Sequence, residues 1–381
     1  DTYDDTYVSY SFRKAKKFFD VVTYTGNGTA RTIAHSLGSV PGMILIKKTS
    51  GAESWAGYHR SLGNTKTVYL DLSVAPDNGN DTWNSTTPTS THFSIKTDSI
   101  VNGNGATYVA YLFAHDAGGF GEAGDQSIIK CDSYTGNGSL TGPVIDLGWE
   151  PQYVLIKGSS SNSWFLLDSM RGIGGWTNTD PGLIPNDHSA ETGNGSAENT
   201  MILTPTGFQF KHNGGYYNTN GVQYNYMAIR RPDGYVSRPI EVATNCFDMD
   251  AGDSGTLPNF DCGFPVDLAI MKVTDSTDNW ELSARLIAAA PGDNANYLKV
   301  DTTNQAFSDA NWRFDSMSGV HNHTYGTSYQ AWMWKRHAGL DVVTYTGTGS
   351  ATTVKHSLGK VPEMIWVKNK SGGNDWQVYH V

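Results

Sequence analysis

Two short segments contain residue types that could bind a metal ion. His321 and His323 lie two residues apart in GVHNHTYG and could bind a metal ion from a strand or loop, but no third ligand is evident near them. The segment DMDAGD carries Asp248, Asp250 and Asp253 like part of a calcium loop, and it lacks the bidentate Glu of such a loop. Solvent-facing histidines and an acidic turn are the simpler explanations, so the sequence predicts no metal and no cofactor.

Four aromatic side chains in loops have the chemistry to stack on sugar rings. They are Trp83, Trp176, Tyr216 and Tyr217. The loops around them, such as residues 75–90 and 172–199, are polar and differ in length. Binding residues concentrate in such variable loops on a shared framework. We therefore expect any ligand binding at these aromatics, with loop packing as the alternative role.

The sequence contains none of the common catalytic motifs. It has no G-x-S-x-G, no H-E-x-x-H and no P-loop. Hydrolysis of a polysaccharide would need two carboxylates in one groove, and no carboxylate pair recurs along the chain. We therefore expect that the protein is not an enzyme.

Three cysteines in so long a chain exclude a disulfide scaffold. Cys246 and Cys262 lie close enough in sequence to form a disulfide, and two free thiols are the alternative. Cys131 has no partner nearby, and no pattern around any of the three indicates a positioned base for a catalytic thiol.

The framework that positions these residues is a tandem repeat. Residues 20–60 and 341–381 align without a gap, and about 24 of the 41 positions are identical. Two diverged copies lie between them, each with a Gly and a Pro, an apolar run ending in Lys, and then a Trp. The four recurring tryptophans are Trp55, Trp164, Trp280 and Trp376. Since they lie about 107 residues apart, each copy is the size of a small domain.

The repeat also sets the predicted domain boundaries. Residues 1–19 match the closing strand ATYVAYLFAHDAGG of residues 106–119, so we expect them to close a preceding copy. The three complete copies are predicted at residues 20–124, 125–236 and 237–338. Residues 339–381 match the first half of a fourth copy, so we expect the chain to be a window of a longer polypeptide.

The hydrophobic pattern predicts an all-β fold without substantial helices. Short apolar runs, many with period two, are bounded by Gly, Pro, Asn and Asp. Seven short strands in about 100 residues are typical of an antiparallel β-sandwich, jelly-roll or lectin-like or else immunoglobulin-like. In the first copy the strands are predicted at residues 19–25, 31–36, 42–48, 54–60, 67–72, 92–96 and 107–114. Short connectors predict a semi-rigid rod of tandem sandwiches.

Composition limits the class of partner. The chain has 381 residues and a formal net charge of −10, which argues against nucleic acid as a partner. No apolar run approaches the roughly 18 residues of a membrane span, so we expect no membrane insertion. Abundant Gly, Asn, Thr and Ser with sparse charge are typical of extracellular or virion β-proteins.

One combination of motifs resembles a known family. YTGNG, then HSLG-x-x-P-x-M-I-x-x-K, then W-x-x-Y-H-R and finally ATYVAYLFA resemble a repeated domain of marine phage virion proteins, of the cyanophage and pelagiphage kind. That domain type is uncharacterised, and its proteins are known as structural or tail fibre proteins. The resemblance covers nearly all of the chain and implies a virion location without catalytic residues.

The expected function is therefore a tail fibre or related fibre that serves as a host-contacting rod. Fibres of this kind are usually symmetric, so we expect a homotrimer that contacts other virion proteins and, at its loops, host surface glycans. Two alternatives stay open. One is a lectin-like array of glycan-binding modules in a secreted or surface protein, and the other is a polysaccharide-degrading tailspike.

Overall fold

The computed structural model describes residues 8–173, 181–191, 201–237, 242–253, 255–288, 295–321, 323, 325–337 and 339–381. The chain divides into two compact units. Unit 1 comprises residues 1–117 and 129–132, and unit 2 comprises residues 118–128 and 133–381. Nearly all regular structure is antiparallel β-sheet, and the described helices are single turns. The prediction of an all-β fold of tandem antiparallel β-sandwiches is confirmed.

Unit 1 contains every strand that the sequence predicts for the first copy. Its elements are, in chain order, β1 (Phe19–Thr25), β2 (Arg31–Ala34), β3 (Pro41–Lys48), β4 (Ala56–His59), β5 (Lys66–Tyr69), β6 (Asp77–Asn78), α1 (Asn80–Trp83), β7 (His92–Ile95), α2 (Ser99–Asn102) and β8 (Thr107–Ala114). Observed and predicted ends differ by at most three residues. The pattern missed only the two-residue β6 and the two helical turns, which are too short to show a period.

The strands of unit 1 form two sheets. The larger has the order β1-β8-β3-β4-β5-β6, and the smaller pairs β2 with β7. β3 lies in the middle of the larger sheet, and its residues 41–46 are buried. Because both faces of β3 are covered, its sequence is continuously apolar rather than alternating. Residues 8–14, predicted as the closing strand of a preceding copy, form no strand.

Along the rest of the chain the same elements recur. These are β9 (Ile129–Thr135), β10 (Val144–Asp146), β11 (Pro151–Gly158), β12 (Trp164–Asp168), β13 (Met201–Thr204), β14 (Gly207–Phe210), β15 (Gln223–Arg230), a 3-10 turn (Ala243–Asn245), β16 (Phe247–Ala251), β17 (Phe260–Asp261), β18 (Leu268–Val273), β19 (Glu281–Ala284), β20 (Ala295–Lys299), β21 (Phe307–Asp309), β22 (Gly319–Val320), β23 (Tyr329–Trp334), β24 (Met364–Val367) and β25 (Gln377–His380).

The order of the strands repeats as well as the sequence. In unit 1 the opening strand pairs with the closing strand, the closing strand with the central strand, and the central strand with the next one along the chain. The same order appears in the sheets β9-β15-β11-β12 and β16-β23-β18-β19. A smaller second sheet accompanies each, namely β2-β7, β10-β14-β13 and β17-β22. The sequence repeat is therefore also a structural repeat.

The Lys near the end of each central strand anchors the loop that follows. Each Lys donates from Nζ to a backbone carbonyl five or six residues further on. The pairs are Lys47 with Glu53, Lys157 with Asn162, Lys272 with Asp278, and Lys368 with Asn374. Since the recurring Trp follows two residues after the acceptor in every copy, the ammonium group fixes where the next strand begins. This contact explains why the apolar run ends in Lys in every copy.

A buried Asn fixes the TGNG loop in the first two copies. The Asn102 side chain accepts from the backbone N–H of Asn27 at 3.0 Å and donates to the carbonyl of Thr29 at 2.7 Å. Asn218 bonds in the same way to the backbone N–H of Asn137 and to the carbonyl two residues further on. Both asparagine side chains are fully buried. The loop is therefore held by a distant side chain as well as by its own glycines.

Within unit 2, four charged residues form a buried cluster. Arg336 binds both carboxylate oxygens of Glu150, at 2.6 and 3.0 Å. Arg231 contacts the same carboxylate at 3.3 Å and Asp341 at 2.7 Å. Asp341 also accepts from the backbone N–H of Ser357 at 2.7 Å. This ion cluster, Glu150, Arg231, Arg336 and Asp341, joins segments that the sequence places in three different copies.

We predict that Asn102→Ala lowers the free energy of unfolding of unit 1 by about 2–3 kcal/mol, because the Asn27 N–H and the Thr29 carbonyl lose their buried partner. Asn104→Ala is the matched control, since Asn104 is exposed two residues away and its loss should change stability by less than about 0.5 kcal/mol. Urea denaturation followed by Trp fluorescence measures both. Equal effects of the two substitutions would contradict the assigned role of Asn102.

Candidate functional site

An open groove lies where β5 of unit 1 gives way to the loop before β6. Its volume is about 630 Å³. The residues that line it are Glu53, Ser54, Tyr69, Leu72, Val74, Ala75, Pro76, Asp77 and Ile100. Part of this lining comes from the start of loop 75–90, which the sequence predicts as a binding segment. The groove is therefore the candidate functional site.

Backbone and side-chain hydrogen bonds set the shape of the groove. The Asp71 carboxylate accepts from the backbone N–H of Trp55 at 3.0 Å, and the Leu70 N–H donates to the Trp55 carbonyl at 3.2 Å. The indole of Trp55 stacks on Tyr111 at 6.0 Å between ring centroids. The recurring Trp thus ties the start of β4 to the loop that forms the groove wall.

One wall of the groove is apolar although it faces solvent. Leu72 and Val74 are 38% and 44% exposed, and the buried side chain of Ile100 lies beneath them. Isolated exposed aliphatic side chains are common on protein surfaces. Adjacent ones in a concave surface indicate a ligand site, because ligands bind in concave apolar surfaces. Such a wall suits the C–H face of a sugar ring or another amphipathic ligand.

The rim of the groove is acidic and can accept hydrogen bonds. Glu53 lies 3.6 Å from the ammonium group of Lys48, and Asp77 is exposed. Tyr69 is half-buried, and burial together with the nearby carboxylates of Asp77 and Asp98 raises its pKa. Its phenol therefore stays protonated at neutral pH and is able to donate. The lining therefore combines two carboxylates with a phenol and the Ser54 hydroxyl, which can accept or donate hydrogen bonds.

The predicted loop aromatics lie in different environments. Trp83 is 1% exposed and packs edge-on against Tyr58 at 5.8 Å. Tyr217 is fully buried and stacks on Phe210 at 4.4 Å. Because protein covers both rings, Trp83 and Tyr217 have the environment of packing residues, which is the alternative role that the sequence left open for them. Their loops fold inward, because the free energy of the protein is lower when a large aromatic ring is buried than when it is exposed to solvent.

The other two predicted aromatics are Tyr216 and Trp176. Tyr216 is half-buried and stacks on Phe165 at 5.4 Å with nearly parallel rings. Trp176 lies outside the described residues.

The two histidines of GVHNHTYG do not share an environment. His321 is 2% exposed and lies among the rings of Phe260, Trp312 and Tyr325, at 4.8 to 5.9 Å. Neither of its ring nitrogens has a hydrogen-bond partner among the described residues. His323 is exposed and stacks on Tyr325. Aromatic rings thus form a cage around His321. The alternative to a metal ligand at this position was a solvent-facing loop histidine, but the structure buries the His321 side chain.

The three aspartates of DMDAGD accept hydrogen bonds from backbone N–H groups. Asp253 accepts from the Thr256 hydroxyl at 2.6 Å and from the backbone N–H groups of Gly255 and Thr256, each at 2.9 Å, and these hydrogen bonds lower its pKa. Asp250 accepts from the N–H of Asp261 at 2.9 Å, and Asp248 from the N–H of the next residue. Within the part of the chain that the structure describes, no group of three His, Cys, Asp or Glu residues is placed to hold a metal ion.

All three cysteines are free thiols. Cys246 donates to the carbonyl of Ala243, and Cys262 donates to that of Phe264. Cys131 is fully buried, and burial raises its pKa far above the ordinary value. Of the two alternatives for Cys246 and Cys262, the structure has the free thiols.

The fold is that of tandem antiparallel β-sandwiches, with an open groove in unit 1. Residues 6–231 and 287–381 match the model of a family described as a domain of unknown function, DUF7483. The chain belongs to this family. No curated protein matches the sequence. Among the described residues, no helix combines the length and apolar character needed to cross a bilayer.

We predict that acid destabilises the fold through His321, because burial lowers its pKa to about 3. The unfolded chain binds this proton near pH 6.5, so the native state loses stability as the pH falls from about 6.5 towards 3, by up to about 1.4 kcal/mol per pH unit. The imidazole of His323 also disfavours the charged form. Above pH 6.5 the effect disappears.

His321→Phe should remove this slope, and the exposed His188→Gln should keep it. Thermal melting between pH 4 and 8 measures the slope for each variant. An unchanged slope in His321→Phe would refute the assignment.

Proposed function

We propose that the chain is a structural protein of a phage virion, a tail fibre or related fibre built of tandem β-sandwiches that contacts the host. The observation that carries this proposal is the recurrence of one strand order and one set of loop anchors along the chain. A repeated framework with variable loops is suited to extension and contact. The resemblance to marine phage virion proteins supports the same location, on the virion and outside the cell.

The rod function is supported by how unit 2 is held together. The ion cluster lies in the protein interior, and its bidentate pair, Arg336 with Glu150, joins residues that are 186 positions apart in the chain. Charges buried in this way tolerate only one arrangement of their partners, because an unpaired buried charge is costly. The repeats of unit 2 therefore resist independent movement, as a force-bearing fibre requires.

Host contact is assigned to the groove of unit 1. The apolar wall offers a surface for the C–H face of a sugar ring, and the acidic rim accepts hydrogen bonds from sugar hydroxyls. The ligand class proposed is therefore a neutral glycan of the host envelope. Several weak sites on one fibre would gain avidity.

The groove also favours one alternative, a lectin-like array in a secreted or surface protein. The virion fibre and the lectin-like array differ in where the protein is located. If the chain is a virion fibre, antibodies against it should label purified phage particles in electron micrographs. Label on cells but not on particles would favour the lectin. A polysaccharide-degrading tailspike is a weaker alternative, and release of new reducing ends from host glycans would establish it.

We predict that Val74→Asp weakens adhesion to host cells about tenfold, because a charge on the apolar wall must be desolvated when a sugar ring binds. Val40→Asp is the matched control, since Val40 is equally exposed in unit 1 and does not line the groove. Adhesion of fluorescent protein to host cells gives the readout, and thermal melting shows that both variants are folded. Equal adhesion of the two variants would contradict host contact at the groove.

We further predict that the chain forms a homotrimer. Virion fibres are usually symmetric, and exposed aromatics such as Tyr235 and Trp280 could meet a neighbouring copy. Light scattering at micromolar concentration should give multiples of three chains. A monomer under these conditions would contradict the trimer.

A further inference from the structure

The loops of this chain repeatedly place a glycine directly after an asparagine. Within the described residues the asparagines of these Asn-Gly steps are Asn27, Asn78, Asn102, Asn104, Asn137, Asn213 and Asn220, and Asn194 lies outside them. The pair suits tight turns, because both residues adopt positive φ at little cost. It is also the step at which asparagine loses its side-chain amide most readily, since glycine has no side chain to hinder the attack.

This loss, deamidation, starts at the backbone nitrogen of the glycine. The nitrogen gives up its proton and attacks the side-chain carbon Cγ of the asparagine, so a new C–N bond closes a succinimide ring while the side-chain nitrogen leaves as ammonia. Water then opens the ring at either carbonyl and gives aspartate or isoaspartate. A hydrogen bond from the glycine N–H to a fixed acceptor opposes the first step, because that bond must break before the nitrogen can attack.

In six of the seven steps the glycine N–H donates to a group that the fold holds in place. Five of them donate to backbone carbonyls at 2.8 to 3.0 Å, in the pairs Gly28 with Asn102, Gly79 with Thr65, Gly105 with Gly26, Gly138 with Asn218, and Gly221 with Gly136. The sixth, Gly103, donates to the hydroxyl of the buried Tyr108 at 2.7 Å. The five carbonyl acceptors belong to other loops, so these bonds break only when two segments of the chain separate.

The step at Asn213 is held in a different way. The N–H of Gly214 donates to Nδ1 of His212 at 3.2 Å, and this acceptor belongs to the same loop after β14. The bond can therefore open without separating two segments of the chain. Asn213 is exposed, and its side chain forms no hydrogen bond within the described part of the chain. In contrast, the side-chain oxygens of Asn27 and Asn137 each accept from a backbone N–H at 3.0 Å.

We propose that Asn213 is the one of these seven asparagines that deamidates in the folded protein. The reaction consumes one water, releases one ammonia and replaces a neutral amide with a carboxylate in an exposed loop. The isoaspartate product also lengthens the backbone at this position. The carbonyl of the preceding His212 accepts from the side chain of Asn218, which fixes the TGNG loop of the second copy. The modification thus occurs beside a contact on which that loop depends.

Peptide mapping by mass spectrometry, after incubation of the folded chain at mildly alkaline pH, tests the proposal. Deamidation at Asn213 should be about tenfold faster than at each of the other six asparagines, because their glycine N–H groups are released only by larger openings. In concentrated urea all seven should react at similar rates, since the fold no longer holds any of the glycines. Similar rates at Asn213 and Asn220 in the folded chain would overturn the proposal, and so would a persistent excess at Asn213 in urea.

Two variants separate the chemistry of the step from the stability of the fold. A Cβ added at Gly214 would meet nothing within 4 Å, and its φ is not left-handed, so Gly214→Ala should fold normally. The methyl group hinders the attack, and deamidation at Asn213 should fall about tenfold. Gly326→Ala, at an equally open position that follows a tyrosine, is the control and should leave the rate unchanged.

His212→Ala removes the acceptor of the Gly214 N–H, so deamidation at Asn213 should become faster while the rates at Asn27 and Asn137 stay the same. Thermal melting shows that each variant is folded. An unchanged rate at Asn213 in both Gly214→Ala and His212→Ala would overturn the proposal.

Discussion

The ion cluster of Glu150, Arg231, Arg336 and Asp341 is the constraint on which the architecture of unit 2 depends. Burial alone would lower the pKa of Arg336, and the carboxylates around it raise the pKa instead, so the guanidinium stays charged in the interior. Desolvation of such groups costs several kcal/mol each, and pairing recovers this only when the geometry is good. The bidentate contact of Arg336 with Glu150 provides that geometry.

A cluster of this kind specifies an arrangement more than it adds stability. Apolar residues of the same volume could stabilise the interior as well, so what the cluster adds is a fixed pairing of its charges. The carboxylate of Asp341 is also held by Ser357, just as Asp20 in unit 1 is held by Ser36. In unit 1 the cation beside that Asp is Lys14. The local Asp–Ser contact thus occurs in both units, and in unit 2 the Asp also contacts two arginines, the distant Arg231 and the nearby Arg336.

Much of the fold could be predicted because its determinants are local or repeated. Strand periodicity and flanking turn residues located the strands of unit 1, and the near identity of residues 20–60 and 341–381 revealed the repeat. The recurring Lys was visible in the sequence, and its loop contact could have been inferred from its fixed distance to the Trp. The recurrence of Asn102 and Asn218 carried a similar signal that sequence reasoning missed.

The candidate site was less predictable because it depends on which loop side chains fold inward. Trp83 and Leu72 are both large apolar residues in polar surroundings, yet Trp83 enters the core and Leu72 remains at the groove wall. Nothing local in the sequence distinguishes them, since the outcome depends on the space between sheets. The cage around His321 and the ion cluster could not be predicted from the sequence either, because the residues that form them come from separate segments of the chain.

The most direct test of this account is hydrogen exchange of unit 2 in the Glu150→Gln variant. Removing one charge deprives Arg336 of its bidentate carboxylate partner, so the amides of Ser357 and of β11 should exchange faster by the equivalent of about 3–5 kcal/mol. Glu191→Gln is the control, since Glu191 pairs with Arg171 from an exposed position. If both variants exchange like the native chain, the ion cluster does not hold the repeats of unit 2 together.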